Sequence, residues 1–515
     1  MLFFDPLFIF AFLPVVWLGF KAIGIRVPRS VSIAWLLLAS WVFYAWAYPV
    51  HLFWLIGSIF ANFLCSIAIQ KNVDSPRAKQ FLVGGIILNL LILGGFKYSG
   101  FATESLATIF GLSLQPPSFL LPLAISFFTF QQISYLVTTY RERRMIARPL
   151  EYALYVSFFP QLIAGPIVQP GEMIPQLQSK TFGKTNLNDI ALGLCLFIIG
   201  LGKKILLADN LAPIADLAFG QIAQGDPISA LTAWMGLLAF ALQIYFDFSA
   251  YSEMALGLGL LFGIQLPENF ASPYRALSII DFWRRWHITL SSFFKNYLYI
   301  PLGGNRLGFL RRHSNILITM TIAGLWHGAN LTFIIWGFAQ GLLLSINHFW
   351  RFSRVQLPFE VSWLLTFVPV TLCWTFFRAE NLNEALQYFS ALAGTHGWAS
   401  TDGLPFIEYL RSLDQTEAWN QVHYSIHYHG WYPKLITGIH IGELVFSKPF
   451  LSFIQVTTSL LVVLLFPRPF VWMRQPINGN ARFTKKAAFL CSFIITAILI
   501  QSGTLQATQF IYFRF

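Results

Sequence analysis

Residues 316–346 read ILITMTIAGLWHGANLTFIIWGFAQGLLLSI, an apolar run whose character changes mainly at the WHGAN segment in its middle. A single helix of this length would measure roughly 45 Å at ~1.5 Å per residue, whereas the hydrocarbon core of a bilayer is about 30 Å thick. The run therefore predicts either one steeply tilted helix or two half-length helices that meet at His327.

His327 is the candidate functional residue of this run. An ionisable side chain at membrane depth is energetically costly, and such residues mark functional sites by default. The alternative is a neutral core histidine that is hydrogen-bonded to a carbonyl group. Because the chain is otherwise apolar here, we favour a functional role for His327.

A second polar stretch, residues 281–295, reads DFWRRWHITLSSFFK. On a helix at 100° per residue, the charged and hydroxyl side chains share one arc and the aromatic side chains share the other. This pattern predicts an amphipathic helix in the membrane–water interface, with its aromatic arc toward the acyl chains. His287 falls on the border between the arcs, where its imidazole could reach a water-accessible cavity, and it is the second candidate.

Composition extends the membrane prediction to the whole chain. The 515 residues are 56% hydrophobic and 11% charged, with a mean hydropathy of +0.61, which excludes an ordinary soluble protein. The net charge of +12 comes from short clusters between apolar runs, so membrane topology explains it and no nucleic-acid partner is indicated. We predict an all-α polytopic membrane protein that forms a single domain over residues 1–515.

Apolar segments near residues 7–20, 31–48, 50–69 and 80–96 predict four initial spans, and segments near 451–466 and 487–503 predict two closing spans. Cations recur in alternate loops, which the positive-inside rule makes cytoplasmic, leaving the N-terminus extracytoplasmic. The cations of the first three cytoplasmic loops are Lys21, Arg26 and Arg29, then Lys71, Arg77 and Lys79, then Arg141, Arg143, Arg144 and Arg148.

Two further segments have polar features that need an explanation. Residues 158–171, FFPQLIAGPIVQPG, are too interrupted for a normal span and predict a re-entrant element in a funnel wall, with an interfacial loop as the alternative. Asp247 and Glu253 lie in an apolar run and need partners, for which Arg275, Arg284 and Arg285 are candidates. Structural pairing of these carboxylates is favoured, and a role for Asp247 in orienting a catalytic histidine is the alternative.

Residues 381–448 form a polar insertion that we predict to be extracytoplasmic and to meet a partner or an acceptor. His423 and His427 are four residues apart and could share a helical face for metal binding. No cysteine and no carboxylate constellation accompanies them, so no metal site is predicted.

The chain carries six motifs: PLAISFFTFQ (122–131), FFPQLIAGPIV (158–168), DFSAYS (247–252), WRRWHITLS (283–291), LWHG (325–328) and FIYFRF (510–515). In these motifs it resembles the membrane-bound O-acyltransferase family, in particular the branch that O-acetylates alginate. The resemblance implies a helical bundle with re-entrant and interfacial helices around a cytoplasmic funnel, in which His327 and His287 take the family's two site positions. It also implies relay of an acetyl group outward across a bacterial inner membrane, with a periplasmic hydrolase-like partner and a polysaccharide acceptor.

The side chains fit this chemistry. Transfer of an acyl group from a thioester to a hydroxyl needs a base near neutral pH, and imidazole has an unperturbed pKa of about 6.5. His327 is the candidate base, with His287 and Asn330 as orienting or oxyanion-stabilising groups.

The donor expected from the chemistry is a substrate and not a bound cofactor: acetyl-coenzyme A or an acyl-carrier thioester. Its phosphates predict a cationic site on the cytoplasmic side, although the same cations could merely set the topology. The candidate donor-binding residues are Arg284, Arg285, Lys295, Arg311 and Arg312.

Two other functions stay open from the sequence. One is D-alanyl transfer to teichoic acid from a carrier protein, which shares these motifs. The other is a membrane transporter that uses Asp247, Glu253 and His327, but such folds show inverted repeats with broken helices, and none is visible.

Overall fold

The computed structural model describes residues 1–46, 48–117, 121–353, 355–398, 448–465, 469 and 485–501. These residues are mainly helical and contain no strand. The α-helices are α1 (Leu13–Arg26), α2 (Arg29–Ala45), α3 (Pro49–Lys71), α4 (Arg77–Lys97), α5 (Ser99–Phe110), α6 (Ile125–Glu142), α7 (Pro149–Ser157), α8 (Phe159–Leu162), α9 (Pro170–Gln178), α10 (Leu187–Gly202), α11 (Asp209–Gln224), α12 (Ala230–Leu261), α13 (Ile279–Arg285), α14 (Ile288–Phe294), α15 (Phe309–His327), α16 (Leu331–Trp350), α17 (Phe359–Arg378), α18 (Leu382–Leu392), α19 (Lys448–Leu465) and α20 (Lys485–Gln501).

The helices confirm an all-α, multi-pass membrane protein. Six described segments are long and apolar enough to cross a membrane: α3, α4, the continuous segment Leu187–Gln224, α12, α16 and α17. Shorter apolar helices lie at Phe8–Gly24, Arg29–Ala45, Phe453–Leu465 and Phe489–Leu499. Helices therefore occupy all six positions that the hydropathy pattern predicted at the two ends of the chain.

The central helix is α12, which packs against α10 and α11. Its most apolar stretch is 78% buried, against 17% for the corresponding stretch of α4. Because α12 is apolar on every side, it can pack against protein all around its axis. Its contact with α10 needs a glycine, because a Cβ added at Gly257 would lie 2.4 Å from the Gly193 carbonyl oxygen.

Residues 316–346 form a hairpin. The chain breaks at His327, as predicted, but α15 has 19 residues and α16 has 20, so each is about 28–30 Å long and neither is half-length. The two helices run antiparallel in close contact, since a Cβ added at Gly337 would lie 2.3 Å from the Met320 carbonyl oxygen. Hydropathy alone cannot distinguish a reversal from an in-line break, and the structure places His327 at the tip of the α15–α16 hairpin.

Residues 149–178 form a re-entrant element, as predicted. The Nε2 of Gln178, at the end of α9, donates to the Ile146 carbonyl oxygen and to Glu151 Oε2 near the start of α7, both at 2.9 Å, so the two ends lie together. Residues 152–168 between these ends are buried. At the inner end, the Ile167 N–H donates to Thr289 Oγ1 at 3.0 Å, beside His287.

The first residues of the predicted polar insertion form a helix of the bundle, α18. Asn381 caps α18, its Oδ1 accepting from the Glu384 N–H at 3.0 Å, and α18 packs against α11 and α12. Tyr388 is fully buried and donates to the Ala233 carbonyl oxygen at 2.8 Å. Asn381 and Glu384, at the start of the predicted insertion, thus belong to a helix of the bundle. Residues 399–447 of the predicted insertion, which include His423 and His427, lie outside the described residues, as does the 510–515 motif.

Candidate active site

His287 lies at a break between two short helices, so the prediction of one amphipathic helix over residues 281–295 was wrong. Trp286 is extended, and His287 has a left-handed backbone with φ of 43°. The break is stabilised from outside: the Ile288 N–H donates to the Asn269 carbonyl oxygen at 2.9 Å. The aromatic side chains Trp286, Phe293 and Phe294 are buried in protein and do not face acyl chains.

Asn269 sets the tautomer of His287. Its Oδ1 accepts from the Thr289 N–H at 3.3 Å and from Thr289 Oγ1 at 2.9 Å, and lies 3.1 Å from His287 Nδ1. Because a backbone N–H can only donate, the atom facing it is the amide oxygen, and His287 Nδ1 must carry a hydrogen. Neutral His287 therefore has its lone pair on Nε2, the nitrogen that can accept a proton.

His327 is the last residue of α15. Lys97, at the end of α4, donates from Nζ to the carbonyl oxygens of Trp326 and His327, the latter at 3.1 Å. Tyr98 donates to the Leu325 carbonyl oxygen at 3.1 Å. These bonds satisfy carbonyl groups that a helix leaves without partners at its C-terminus, and they place an ammonium group at the backbone of the candidate base.

The two histidines are brought together in an aromatic enclosure. Their ring centroids are 6.5 Å apart, and their exposed fractions are 0% for His287 and 5% for His327. Water is largely excluded, so polar groups here act at lower effective dielectric than on a surface. The aromatic rings around them are Phe248 and Phe270 beside His287, Trp336 and Phe377 beside His327, and Trp326 beside both.

Asn330 serves as a helix cap. Its Oδ1 accepts from the Thr332 N–H at 3.1 Å at the start of α16, and its Nδ2 donates to the Glu380 carbonyl oxygen at 2.6 Å. Both ends of the amide are thus engaged in holding the hairpin. This geometry favours a structural role for Asn330 over stabilisation of an oxyanion.

The intramembrane carboxylates Asp247 and Glu253 pair with lysines. The prediction that Arg275, Arg284 or Arg285 would pair with them was therefore wrong. Asp247 lies 3.0 Å from Lys204, which also pairs with Asp209 at 2.7 Å, and Glu253 lies 2.5 Å from Lys203. The two lysines are consecutive in the π-helical segment Lys203–Ala208. Asp247 therefore belongs to a buried ion-pair network, while its neighbour Phe248 contacts the His287 ring at a centroid distance of 4.7 Å.

We expect Lys204→Met to destabilise the folded protein by about 3–5 kcal/mol, because Asp209 and Asp247 would lose a buried counter-ion. Thermal unfolding in detergent, followed by loss of the monodisperse peak in size-exclusion chromatography, measures the change. The matched control is Lys71→Met, an exposed position at the end of α3. A Lys204→Met midpoint equal to that of the control would contradict a stabilising ion pair.

The candidate donor-binding cations are divided between paired and exposed positions. Arg285 Nε donates to Asp281 at 2.9 Å, and Arg312 contacts His348 Nδ1 at 2.5 Å. Arg284, Lys295 and Arg311 are exposed. Arg312 lies 15 residues before His327 on α15, which corresponds to about 22 Å along the helix.

A cavity of about 480 Å³ lies next to the amide that orients His287. Asn269, Phe270 and Ser252 line it on the side of the site, and Val463 and Ile494 line it on the side of α19 and α20. Most of its lining is apolar. The structure thus provides a largely apolar cavity beside the His287 support.

We expect Asn269→Leu to lower kcat for acyl transfer about thirtyfold with little change in the KM of the donor, because the tautomer of His287 is no longer set. Asn269→Asp keeps an oxygen acceptor for Nδ1–H and should retain at least a third of the wild-type kcat. Initial rates at saturating donor measure both. Equal losses in the two variants would assign Asn269 a packing role only.

Asn269 and Lys97 were missed by the sequence analysis. Asn269 lies in the loop after α12, and Lys97 closes an apolar helix where a cation reads as an ordinary span end. No local sequence pattern marks either residue as part of a site. The one available signal was that Lys97 lies on the predicted extracytoplasmic side, where the positive-inside rule expects few cations. Among the described residues, no group of three or more His, Cys, Asp or Glu side chains is arranged to hold a metal ion.

Several known proteins are similar to this chain over much of its length. Residues 118–379 match the model of the MBOAT, membrane-bound O-acyltransferase family. The chain is 43% identical over 427 residues to a peptidoglycan O-acetyltransferase of Helicobacter pylori, covering 77% of this chain and 80% of that protein. It is 39% identical over 410 residues to a protein named probable alginate O-acetylase of Azotobacter vinelandii, covering 78% and 80%. A teichoic acid D-alanyltransferase of Bacillus subtilis is 26% identical over 242 residues, covering 44% and 59%.

Proposed function

The chain belongs to the membrane-bound O-acyltransferase family, and from this premise we propose that it takes an acetyl group from a cytoplasmic thioester and relays it across the membrane for O-acetylation of an extracytoplasmic polysaccharide. The carrying observation is a pair of buried histidines whose ring centroids lie 6.5 Å apart: His327 at the tip of the α15–α16 hairpin and His287 at the break between α13 and α14. Two imidazoles in a largely water-free enclosure suit acyl transfer, because water would hydrolyse the thioester.

The reaction follows from the roles of the side chains. His327 takes the proton of the acceptor hydroxyl, the hydroxyl oxygen attacks the thioester carbonyl carbon, the carbon–sulfur bond breaks, and the proton passes to the leaving thiolate. His287, with its lone pair on Nε2, acts as an acceptor that orients a donor group; in this neutral form Nε2 cannot stabilise an oxyanion. The Lys97 ammonium at the His327 backbone supplies positive charge to a developing oxyanion.

Acetyl transfer is favoured over D-alanyl transfer. The O-acetyltransferase relatives match more of the chain at higher identity than the D-alanyltransferase does. Inverted membrane vesicles that contain the protein, with its extracytoplasmic partner and polysaccharide in the lumen, should transfer radiolabel from external acetyl-coenzyme A to the polysaccharide. Labelling from a D-alanyl carrier, with none from acetyl-coenzyme A, would instead assign D-alanyl transfer.

Co-purification identifies the partner protein. We expect a secreted hydrolase-like protein to co-purify with this chain, because the acetyl group must be passed to a polymer outside the membrane. An acyl carrier protein as the partner would indicate D-alanylation. Mass spectrometry of the acetylated polymer then identifies which polysaccharide is modified.

We expect Arg311→Glu combined with Arg312→Glu to raise the apparent KM for acetyl-coenzyme A several-fold at low salt and less at high salt. The exposed cations of the predicted cytoplasmic side would attract a phosphate-bearing donor, and salt screens this attraction. Steady-state kinetics at two ionic strengths measure the effect. An unchanged KM at low ionic strength would leave these cations, with Arg284, Arg285 and Lys295, as topology signals.

A further inference from the structure

A second cavity, of about 760 Å³, lies at the two ends of the re-entrant element. It is lined by Arg29 at the start of α2, by Arg148 and Glu151 at the start of α7, and by Ser179 and Lys180 after α9. The charge pattern assigns the loops of Arg29 and Arg148 to the cytoplasm. The cavity is separate in sequence from the cations of residues 284–312.

The charge balance of this cavity is positive. Its lining holds three cationic side chains and one carboxylate. Glu151 is buried and fully engaged, with Arg29 at 2.9 Å, the Arg148 N–H at 3.0 Å and Gln178 Nε2 at 2.9 Å. Arg148 and Lys180 are exposed and form no ion pair among the described residues. A surplus of two positive charges therefore faces the cavity.

The backbone adds to this potential. α2 begins at Arg29 with no side-chain cap, and it is 17 residues long, so its N-terminal N–H groups carry partial positive charge at the cavity. Arginine, lysine and helix N-termini together are the groups that bind phosphate in proteins. Arg29 is already positioned by Glu151, which makes the site partly preorganised.

We propose that this cavity binds a phosphate group on the cytoplasmic side, through Arg148, Lys180 and the N-terminus of α2. The phosphate is either part of the thioester donor or the headgroup of an anionic phospholipid. In the first case the inference rests on the proposed function, because the donor then places its phosphate here and its thioester at the histidines.

The re-entrant element connects this cavity to the reaction centre. Its outer ends line the cavity, and its inner end donates from Ile167 to Thr289, which in turn bonds the Asn269 amide that holds His287. A phosphate in the cavity would therefore contact the outer ends of the re-entrant element, and the inner end of the same element supports His287. Occupancy of the cavity would stabilise the arrangement of that support.

The test compares Arg148→Glu/Lys180→Glu with the wild-type protein, leaving Arg29 intact because it neutralises buried Glu151. In nanodiscs of phosphatidylcholine, isothermal titration with coenzyme A measures donor-type phosphate binding at low salt. In a second arm, native mass spectrometry counts phosphatidylglycerol retained on the purified full chain. Arg77→Glu/Lys79→Glu is the matched control, with the same change of charge at two exposed cytoplasmic positions.

We expect the Kd for coenzyme A to rise about tenfold or more in the cavity variant and less than twofold in the control, if the phosphate is the donor's. Selective loss of retained phosphatidylglycerol, with coenzyme A binding unchanged, identifies the lipid headgroup. Equal behaviour of both variants in both arms would overturn the site. Arg148→Gln/Lys180→Gln gives the same comparison if charge reversal prevents folding.

The experiments distinguish an incorrect phosphate site from an incorrect proposed function. His327→Ala should lose acyl transfer while binding coenzyme A with wild-type affinity. If the cavity variant binds both ligands normally while His327→Ala is inactive, the phosphate site is wrong and the acyltransferase mechanism stands.

Discussion

His327→Ala should lower the rate of acyl transfer to polysaccharide by about a thousandfold, the range expected when a general base is removed. The side chain is 5% exposed at the tip of a hairpin whose helices are held by their own contacts, so the protein should still insert and accumulate. Transfer of radiolabel from acetyl-coenzyme A in reconstituted vesicles measures the loss.

The control for this variant is His313→Ala, which removes the same side chain from the opposite end of α15. It should keep nearly full activity, because its position is near the predicted cytoplasmic end of the helix. Size-exclusion chromatography and coenzyme A binding establish that both variants are folded. Activity above a tenth of wild type in His327→Ala would remove this residue from the role of base.

His287→Ala should lower acyl transfer about a hundredfold, leaving measurable activity. The imidazole contacts Asn269 through Nδ1 and has its other nitrogen as an acceptor, so its loss removes an orienting group and not the base itself. His287 has a left-handed backbone, a conformation that costs about 1–2 kcal/mol in most residues. The alanine variant therefore changes the backbone preference of position 287 as well as removing the imidazole.

His287→Asn separates the two effects. Asparagine tolerates the left-handed region better than alanine, so this variant should be more stable than His287→Ala. We expect both variants to lose activity equally, since both lack the imidazole. Recovery of activity in the asparagine variant would mean that position 287 is needed for its backbone, and thermal unfolding of the two proteins provides the independent stability measurement.

The amino-acid sequence by itself determined the membrane architecture and singled out the two histidines as candidate site residues. A span must satisfy its own backbone hydrogen bonds and cover itself with apolar side chains, so the signal for each span is local and readable from hydropathy. The same holds for the break at His327 and for the re-entrant element, because proline, glycine and polar residues interrupt apolar runs at those positions. The structure places helices, break and re-entrant turn where these patterns predicted them.

Only the tertiary structure decided what surrounds the histidines. The break at His287 depends on backbone partners in residues 269–271, so an amphipathic pattern within residues 281–295 could not reveal it. Lys97 reaches the His327 carbonyl oxygen across 230 positions of the chain, and Lys204 reaches Asp247 from a different helix. The packing of the helices decides which of these groups meet. The sequence alone is compatible with many other pairings of cations and carboxylates. The physical reason is that hydrogen bonds and ion pairs act over a few ångströms in space, whereas a sequence pattern reports only neighbours along the chain.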